Sequence, residues 1–284
     1  MKTPIFMTSS KQHFRLLVSF VGMLILSCTH SFAQSDSTVI VQITDTQFGF
    51  FENNTGFEKE TELYTKAVRR INELKPDFVV ITGDFVNDSK NILQIGEFKR
   101  ITSLIHQNVP VYLSPGNHDL GQSPTKNDFN FYFSNYGRGT DRFSFKHKNL
   151  AFIGLNSVIV KSNKNKKEEK KQFRWLRNQL RKAKKSGSIV LFTHYPFFLY
   201  DFNEKETYSN QSVEVRDRYF QLFERYGVYA IFAGHLHNNA EASHNGISMI
   251  TTNAVGKPLG NAEPGMRIIT ITSEGIKSRY ISIE

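Results

Sequence analysis

Val228-Tyr229-Ala230-Ile231-Phe232-Ala233-Gly234-His235-Leu236-His237 joins six residues suited to a buried strand to a glycine turn that carries two imidazoles. A β-branched and aromatic run without polar alternation reads as a strand covered on both faces, the usual setting of a parallel sheet. The arrangement recurs four times upstream. Val39 to Ile43 leads to Asp45, Phe78 to Ile81 to Gly83-Asp84, Val111 to Leu113 to Gly116-Asn117-His118, and Ile189 to Phe192 to His194. Helical patterns lie between these runs; in Glu60 to Leu74, residues Leu63, Ala67, Val68, Ile71 and Leu74 share one face, and Pro76 stops the pattern. Strand and helix alternation predicts mostly parallel pairing, with ligands gathering beyond the carboxyl ends of the strands, where all five polar turns fall. The last third changes character. Ile247 to Thr251, Arg267 to Thr272 and Lys277 to Ile283 alternate around Gly- and Pro-containing turns, which predicts a second, more antiparallel sheet packed on the first.

Composition narrows the field further. The 284 residues are 39% hydrophobic and include 25 Phe and 11 Tyr, enough to fill one large core and to exclude disordered or fibrous classes. A single cysteine, Cys28, excludes an internal disulfide framework and a Cys-based zinc site, so any metal must be held by His, Asp, Asn or Glu. Near the start, Lys2, Lys11 and Arg15 precede an apolar run from Leu16 to Ser27 that is too short to cross a bilayer. With Ser31-Phe32-Ala33 before Gln34 it reads as a secretory leader, residues 1–33, leaving one domain over 34–284 that is periplasmic or secreted. The rival reading takes Ile25-Leu26-Ser27-Cys28 as a lipobox, with Cys28 as a lipidated membrane anchor.

The net charge of +10 is not spread evenly. Residues 161–185 carry twelve Lys or Arg against Glu168 and Glu169. Lys161 to Lys171 reads as an exposed loop entering a helix whose apolar face is Phe173, Leu176, Leu180 and Ala183, with a solvated basic face opposite. That patch, Lys161 to Lys185, offers a contact to an anionic surface; no nucleic-acid partner is expected.

Collected together, the five turns supply Asp45, Asp84, Asn117, His194, His235 and His237, with His118 beside Asn117. Such oxygen and nitrogen donors suit two divalent cations, and a carboxylate such as Asp84 can bridge ions roughly 3.5 to 4 Å apart that act on one phosphoryl group. Two dications against two carboxylates and a bridging hydroxide leave a net positive site, which attracts a phosphate ester and steadies charge developing in the transition state.

In order, Asp45-Thr46-Gln47, Gly83-Asp84-Phe85-Val86-Asn87, Gly116-Asn117-His118-Asp119, Thr193-His194-Tyr195-Pro196 and Gly234-His235-Leu236-His237 resemble the five motif blocks of the calcineurin-like metallophosphoesterases. Over nearly the whole mature length the chain is similar to a branch of that family with an animal serine/threonine phosphoprotein phosphatase and bacterial relatives. The resemblance implies an α/β, four-layer sandwich of two mixed β-sheets flanked by helices. It implies one ion on Asp45, residue 47, Asp84 and His237, another on Asp84, Asn117, His194 and His235, and His118 as a residue that binds no metal but either protonates the leaving group or orients the phosphate. It further implies phosphoester hydrolysis by a metal-bridging hydroxide, most simply of monoesters, with ions drawn from Mn, Fe or Zn. Gln47 departs from the family, which has His there; an amide oxygen favours Mn or Mg at that position. Asn87 stands where the phosphoprotein phosphatases carry an acid.

Several residues carry two readings. Asp119 either fixes His118 or caps a turn, and Asn87 either contacts phosphate or closes its loop. Gly83, Gly116 and Gly234 are expected to permit tight turns. Tyr195, Phe197, Phe198 and Tyr200 either line a substrate pocket or fill the core, and His106, His147 and His244 read as structural. At the level of function the alternatives are a phosphodiesterase acting on nucleotides or lipids, and a non-catalytic metal-binding surface module.

Overall fold

The computed structural model describes residues 37–185 and 187–283, so the expected leader, with Cys28 and Ala33, lies outside the described residues. From the amino end the elements are β1 (Thr38–Ile43), α1 (Glu58–Leu74), β2 (Phe78–Thr82), α2 (Ile92–Thr102), β3 (Val111–Ser114), α3 (Asn117–Leu120), α4 (Lys126–Tyr136), β4 (Phe143–His147) and β5 (Leu150–Gly154). There follow α5 (Ser157–Lys161), α6 (Lys166–Ala183), β6 (Ile189–Phe192), α7 (Val213–Tyr226), β7 (Val228–Ala233), β8 (Ala240–His244), β9 (Ile247–Thr251), β10 (Gly265–Thr272) and β11 (Gly275–Ser282).

Two mixed sheets result. One has the order β11-β10-β1-β2-β3 and the other β4-β5-β6-β7-β9-β8. Strand periodicity explains how they stack, because alternate side chains point to opposite faces. Ile40, Phe78, Val80, Ile269 and Ile271 meet Phe152, Val190, Phe192, Ala230, Phe232 and Ile250 in a single buried cluster between the sheets. Their neighbours Val41, Ile43, Val79 and Ile81 face outward into a cluster with Tyr64, Ala67, Ile71, Ile95 and Phe98 of α1 and α2. Ile153, Ile189, Leu191 and Ile231 do the same against Leu176 and Leu180 of α6 and Tyr219, Phe220 and Phe223 of α7. The layers therefore run helix, sheet, sheet, helix.

Strand assignment to sheets differs from the expectation. The five strands with polar turns do not share one sheet: β1, β2 and β3 are parallel in the first, while β6 and β7 are parallel in the second. Nor do the last strands build a sheet of their own. β9 extends the second sheet parallel to β7, whereas β10 lies antiparallel to β1, pairing Gln42 with Arg267, and carries β11 at the edge. Each covers the open hydrogen-bonding edge of a parallel core, which is a stronger demand than staying beside its sequence neighbour.

The lysine-rich segment is also corrected. Only residues 162–165 form a connection, because α5 already includes Lys161 and α6 begins at Lys166 with Glu168 and Glu169 in its first turn, where acids favour helix start. Lys161 is no part of a solvated patch: its Nζ meets Glu206 at 2.7 Å and the carbonyls of Thr207 and Asn210 at 2.7 and 2.6 Å. Lys166, Lys167, Lys170, Lys171, Arg174, Arg177, Arg181 and Lys182 do remain exposed along α6.

Beneath the five turns, Gln42 ties the carboxyl ends of the two sheets together. Its Nε2 donates to Thr82 Oγ1 and to the Ala233 carbonyl, and its Oε1 accepts from Thr252. A buried amide satisfied on both ends fixes the level at which the two sets of turns face one another.

Candidate metal centre

The loops after β1 and β2 run side by side. Asp45 N–H donates to the Gly83 carbonyl and Gln47 N–H to the Asp84 carbonyl, at 3.0 and 2.9 Å. From the other sheet, Gly234 N–H donates to the His194 carbonyl, and His235 N–H reaches across to Asp45 Oδ2 at 3.0 Å. The residues singled out in the five turns thus converge at one edge where the sheets meet. Their backbones are unusual: Asp45, Gln47, Asp84, His235 and His237 all have positive φ, from 39° to 70°. Left-handed backbone at non-glycine residues costs of order 1–3 kcal/mol each, and its concentration here marks a site held in shape by its surroundings.

Gly83 has φ +85° and fits the expected turn, but Gly116 and Gly234 serve a different purpose. A Cβ on Gly116 would lie 2.1 Å from Asp84 Oδ1, and one on Gly234 1.8 Å from Thr44 Oγ1. These glycines let neighbouring loops approach; they do not supply a special turn.

His194 organises one half of the centre. Its Nδ1 faces the Thr82 carbonyl at 2.8 Å, so Nδ1 carries the hydrogen and Nε2 offers a lone pair. That Nε2 lies 3.2 Å from each of Asp84 Oδ2, Asn117 Oδ1 and His235 Nδ1. The Asn117 amide is turned the same way by its other end, Nδ2 donating to the Tyr208 hydroxyl at 3.2 Å. His194 Nε2, Asp84 Oδ2 and Asn117 Oδ1 thus converge beside the His235 ring, and either a proton on His194 or a cation balances them.

In the other half, His237 Nδ1–H donates to the Lys257 carbonyl at 2.6 Å, and its Nε2 lies 3.3 Å from Asp45 Oδ1. Asp45 Oδ2 is already used by Thr44 and His235 N–H. Gln47 Nε2 donates to Asn87 Oδ1 at 3.1 Å. Buried and without hydrogen-bond partners remain two acceptors, Asp45 Oδ1 and Gln47 Oε1. Orphaned polar atoms of this kind are costly unless something binds them. The donor set therefore fits two divalent ions, with Asp84 between the halves.

Protonation follows the same crowding. Burial works against an imidazolium at His194, yet the carboxylates of Asp84 and Asp45 outweigh it and push the ring up to about 9. His235, desolvated and facing that positive ring, is pushed down to about 3. Burial is likewise overcome by Asp45 at His237, which moves up, and by the histidines at Asp45 and Asp84, which move down. Without metal, protons on the histidines do the balancing.

The remaining candidates fall into place around the centre. His118 donates its backbone N–H to Asp84 Oδ1, and its Nδ1 sits 2.9 Å from the backbone carbonyl of Asn87. Asp119 is not its partner. The Asp119 carboxylate accepts from Phe85 N–H and Gly116 N–H at 2.8 and 2.7 Å and clamps the loops after β2 and β3 together. Asn87 turns its side chain to Gln47 and Asn54. Tyr195 is buried against His235 with ring centroids 4.1 Å apart, Phe197 and Phe198 fill the core, and Tyr200 is exposed. His147 pairs with Asp77 at 3.0 Å and His244 stacks on Phe202, both away from the centre.

Tyr208 is the residue that pattern reading missed. It is 54% exposed, packs on His235 with ring centroids 4.8 Å apart, and receives the Asn117 hydrogen bond. Its segment shows no periodicity; it is held by buried Arg216, whose guanidinium donates to the carbonyls of Phe197, Gln211, Phe202 and Glu204.

Residues 38–239 match the family model described as calcineurin-like phosphoesterase. The chain is 32% identical over 262 residues to the serine/threonine-protein phosphatase CPPED1 of Rattus norvegicus, covering 86% of this chain and 83% of the relative. It is 29% identical over 223 residues to a probable glycerophosphodiester phosphodiesterase, GpdQ, of Arcobacter nitrofigilis, covering 75% of this chain and 77% of that protein. Among solved structures, a dimetal phosphatase from Danio rerio superposes with a TM-score of 0.61 at 15% identity, over 87% of this chain and 99% of the other, a likeness of fold.

Proposed function

The chain belongs to the calcineurin-like phosphoesterase family and is a metal-dependent phosphoester hydrolase, and from that premise we propose how its own residues divide the work. Asp45, Gln47, Asp84 and His237 hold one ion; Asp84, Asn117, His194 and His235 hold the other. The observation that carries this is the convergence of Asp84 Oδ2, Asn117 Oδ1 and His235 Nδ1, drawn from both sheets and each 3.2 Å from His194 Nε2. Bound there, divalent cations neutralise phosphoryl oxygens and bring the pKa of a water toward neutrality. The amide oxygen of Gln47 favours Mn or Mg in the first position, being harder than imidazole.

His118 is the general acid. Because Nδ1–H is committed to the Asn87 carbonyl, the proton that leaves is the one on Nε2, and the ring keeps its orientation while it does so. Tyr208 borders the substrate. Its oxygen accepts from Asn117 Nδ2, and its O–H is available to donate to a phosphoryl oxygen.

The substrate class is a phosphomonoester, with phosphoserine and phosphothreonine proteins suggested by the name of the CPPED1 relatives. A diesterase reading draws support from the Arcobacter nitrofigilis relative. Metal-stripped protein reconstituted with Mn and offered an alkyl monoester and a diester decides between them: metal-dependent turnover of the monoester is expected, preference for the diester would replace it, and turnover of neither with metal bound would leave a binding module. We also place the domain outside the cytoplasm, on the leader-like composition of residues 1–33, and assign exposed α6 cations a contact with anionic surfaces.

A further inference from the structure

We propose that four side-chain amides, Gln94, Asn54, Asn87 and Gln47, form a relay of hydrogen-bond polarity that begins at the backbone N–H of Asp88 and fixes Gln47 with its oxygen toward the metal centre. The proposal rests on the reading that this centre holds divalent ions. A carboxamide has two ends of nearly equal shape and opposite chemistry, an acceptor oxygen and a donor nitrogen. Only the oxygen can face a cation. An unrestrained Gln47 could turn over and present N–H groups, a fault to which a histidine in that position is far less prone.

The geometry removes that freedom step by step. Asp88 N–H can only donate, and it meets Gln94 Oε1 at 3.0 Å. The other end of Gln94 is therefore Nε2, which donates to Asn54 Oδ1 at 3.0 Å. The same Asn54 oxygen receives Asn87 Nδ2 at 2.8 Å. That leaves Asn87 Oδ1 to accept from Gln47 Nε2 at 3.1 Å, and Gln47 Oε1 is left over, buried and without a hydrogen-bond partner. Reversing either Asn87 or Gln47 alone would set two nitrogens or two oxygens against each other. Gly49 makes room for the relay: a Cβ there would lie 2.2 Å from Gln94 Nε2 and 3.0 Å from Asn54 Oδ1. Asn54 itself has φ +70°, a conformation that asparagine tolerates better than most residues. Asn87 is thus a positioning residue twice over, since its side chain aims Gln47 and its backbone carbonyl sets the tautomer of His118.

The experiment titrates metal-free protein with Mn by calorimetry, for Asn87→Ala, Asn87→Asp and Asn54→Asp, and repeats Asn87→Ala on a Gln47→Glu background. Asn87→Ala is expected to weaken one of the two ions about 10- to 100-fold, the usual cost of losing a group that orients a ligand. Asn87→Asp keeps an acceptor for Gln47 Nε2 but sets an oxygen against Asn54 Oδ1, so it is expected to lose less than Asn87→Ala. Asn54→Asp still accepts from both neighbours and is silent. With Glu at position 47 the Asn87→Ala loss disappears, because a carboxylate has oxygen at both ends. Equal losses in Asn87→Ala and Asn87→Asp, or an undiminished loss with Glu at 47, would overturn the relay. So would unchanged metal affinity with a raised KM, which would assign Asn87 to substrate instead. Should Asn87→Ala fail to fold, Asn54→Ala at the exposed link carries the same dependence on residue 47. A wild-type chain that binds no divalent ion would instead defeat the reading of the centre itself.

Discussion

The two halves of the centre are oriented by different means. Around His194 the orientation comes from main chain: the Thr82 carbonyl fixes the ring, and Asp84 is held by the His118 N–H. Around Gln47 it passes through side-chain amides, one of which, Asn54, is exposed. Main-chain groups inside a sheet edge cannot turn over, whereas an amide can. In the second half the Lys257 carbonyl fixes His237 as Thr82 fixes His194, so Gln47 is the member of the centre that substitutions in the amides can tune, and only Asp84 belongs to both halves.

The most severe way to break that division is to remove the shared residue. Asp84→Ala is expected to abolish binding of both ions and to reduce turnover by at least about 10²- to 10³-fold, the scale on which removing one electrostatic stabiliser acts. Elemental analysis of the purified variant checks the first part and steady-state rates the second. Retention of one full equivalent of metal would mean that the halves do not share Asp84.

Next in size is His118→Ala, which separates metal holding from proton transfer. On an alkyl phosphate the loss should be about 10²- to 10⁴-fold, as for other general acids, with metal content unchanged. An activated aryl phosphate, whose leaving group needs no proton, should lose much less. Equal losses on both substrates would remove the acid role.

How far such residues could be read without coordinates depends on how local their cues are. Each strand and its polar turn is a contiguous signal, so Asp45, Asp84, Asn117, His194, His235 and His237 stand out from the sequence, and the structure gathers them. Pairing is not local. The split of parallel strands between two sheets, and the separation of β9 from β10, follow from which edges lie open after packing. The two-residue turn at Lys148-Asn149, between the alternating β4 and the continuously apolar β5, is a readable hairpin cue that the strand-turn pattern overshadowed. The purpose of Gly116 and Gly234 depends on atoms of other loops, and Tyr208 owes its place to Arg216, which no periodicity announces.

A smaller effect comes from the proton that His194 holds in the absence of metal. In the metal-free fold His194 is raised from 6.5 to about 9, so its proton stabilises that fold fully below pH 6.5 and the contribution fades as pH rises through about 9. Metal has to displace the same proton. Affinity of the His194 half should therefore rise with pH, close to tenfold per unit between those two values, and level off above about 9. Calorimetry in buffers of different ionisation heat should show close to one proton released by this residue near neutrality. A pH-independent affinity with no proton release would contradict the arrangement.

The gentlest test exchanges one kind of orientation for the other. Gln47→His replaces the amide that needs a relay with an imidazole, which can bind an ion through one nitrogen while the other donates to Asn87 Oδ1, the acceptor that Gln47 Nε2 now uses. We expect one of the two ions to bind more tightly, by about tenfold at most since the gain comes from a second contact already in place. Preference should also shift from Mn toward Zn, because the softer nitrogen favours the later metal. Competition of Mn against Zn on wild type and variant reads both effects in one titration. A tightened site with unchanged preference would show that orientation, and not ligand type, limits this half; no change in either would remove residue 47 from the metal and leave Asp45, Asp84 and His237 to hold that ion alone.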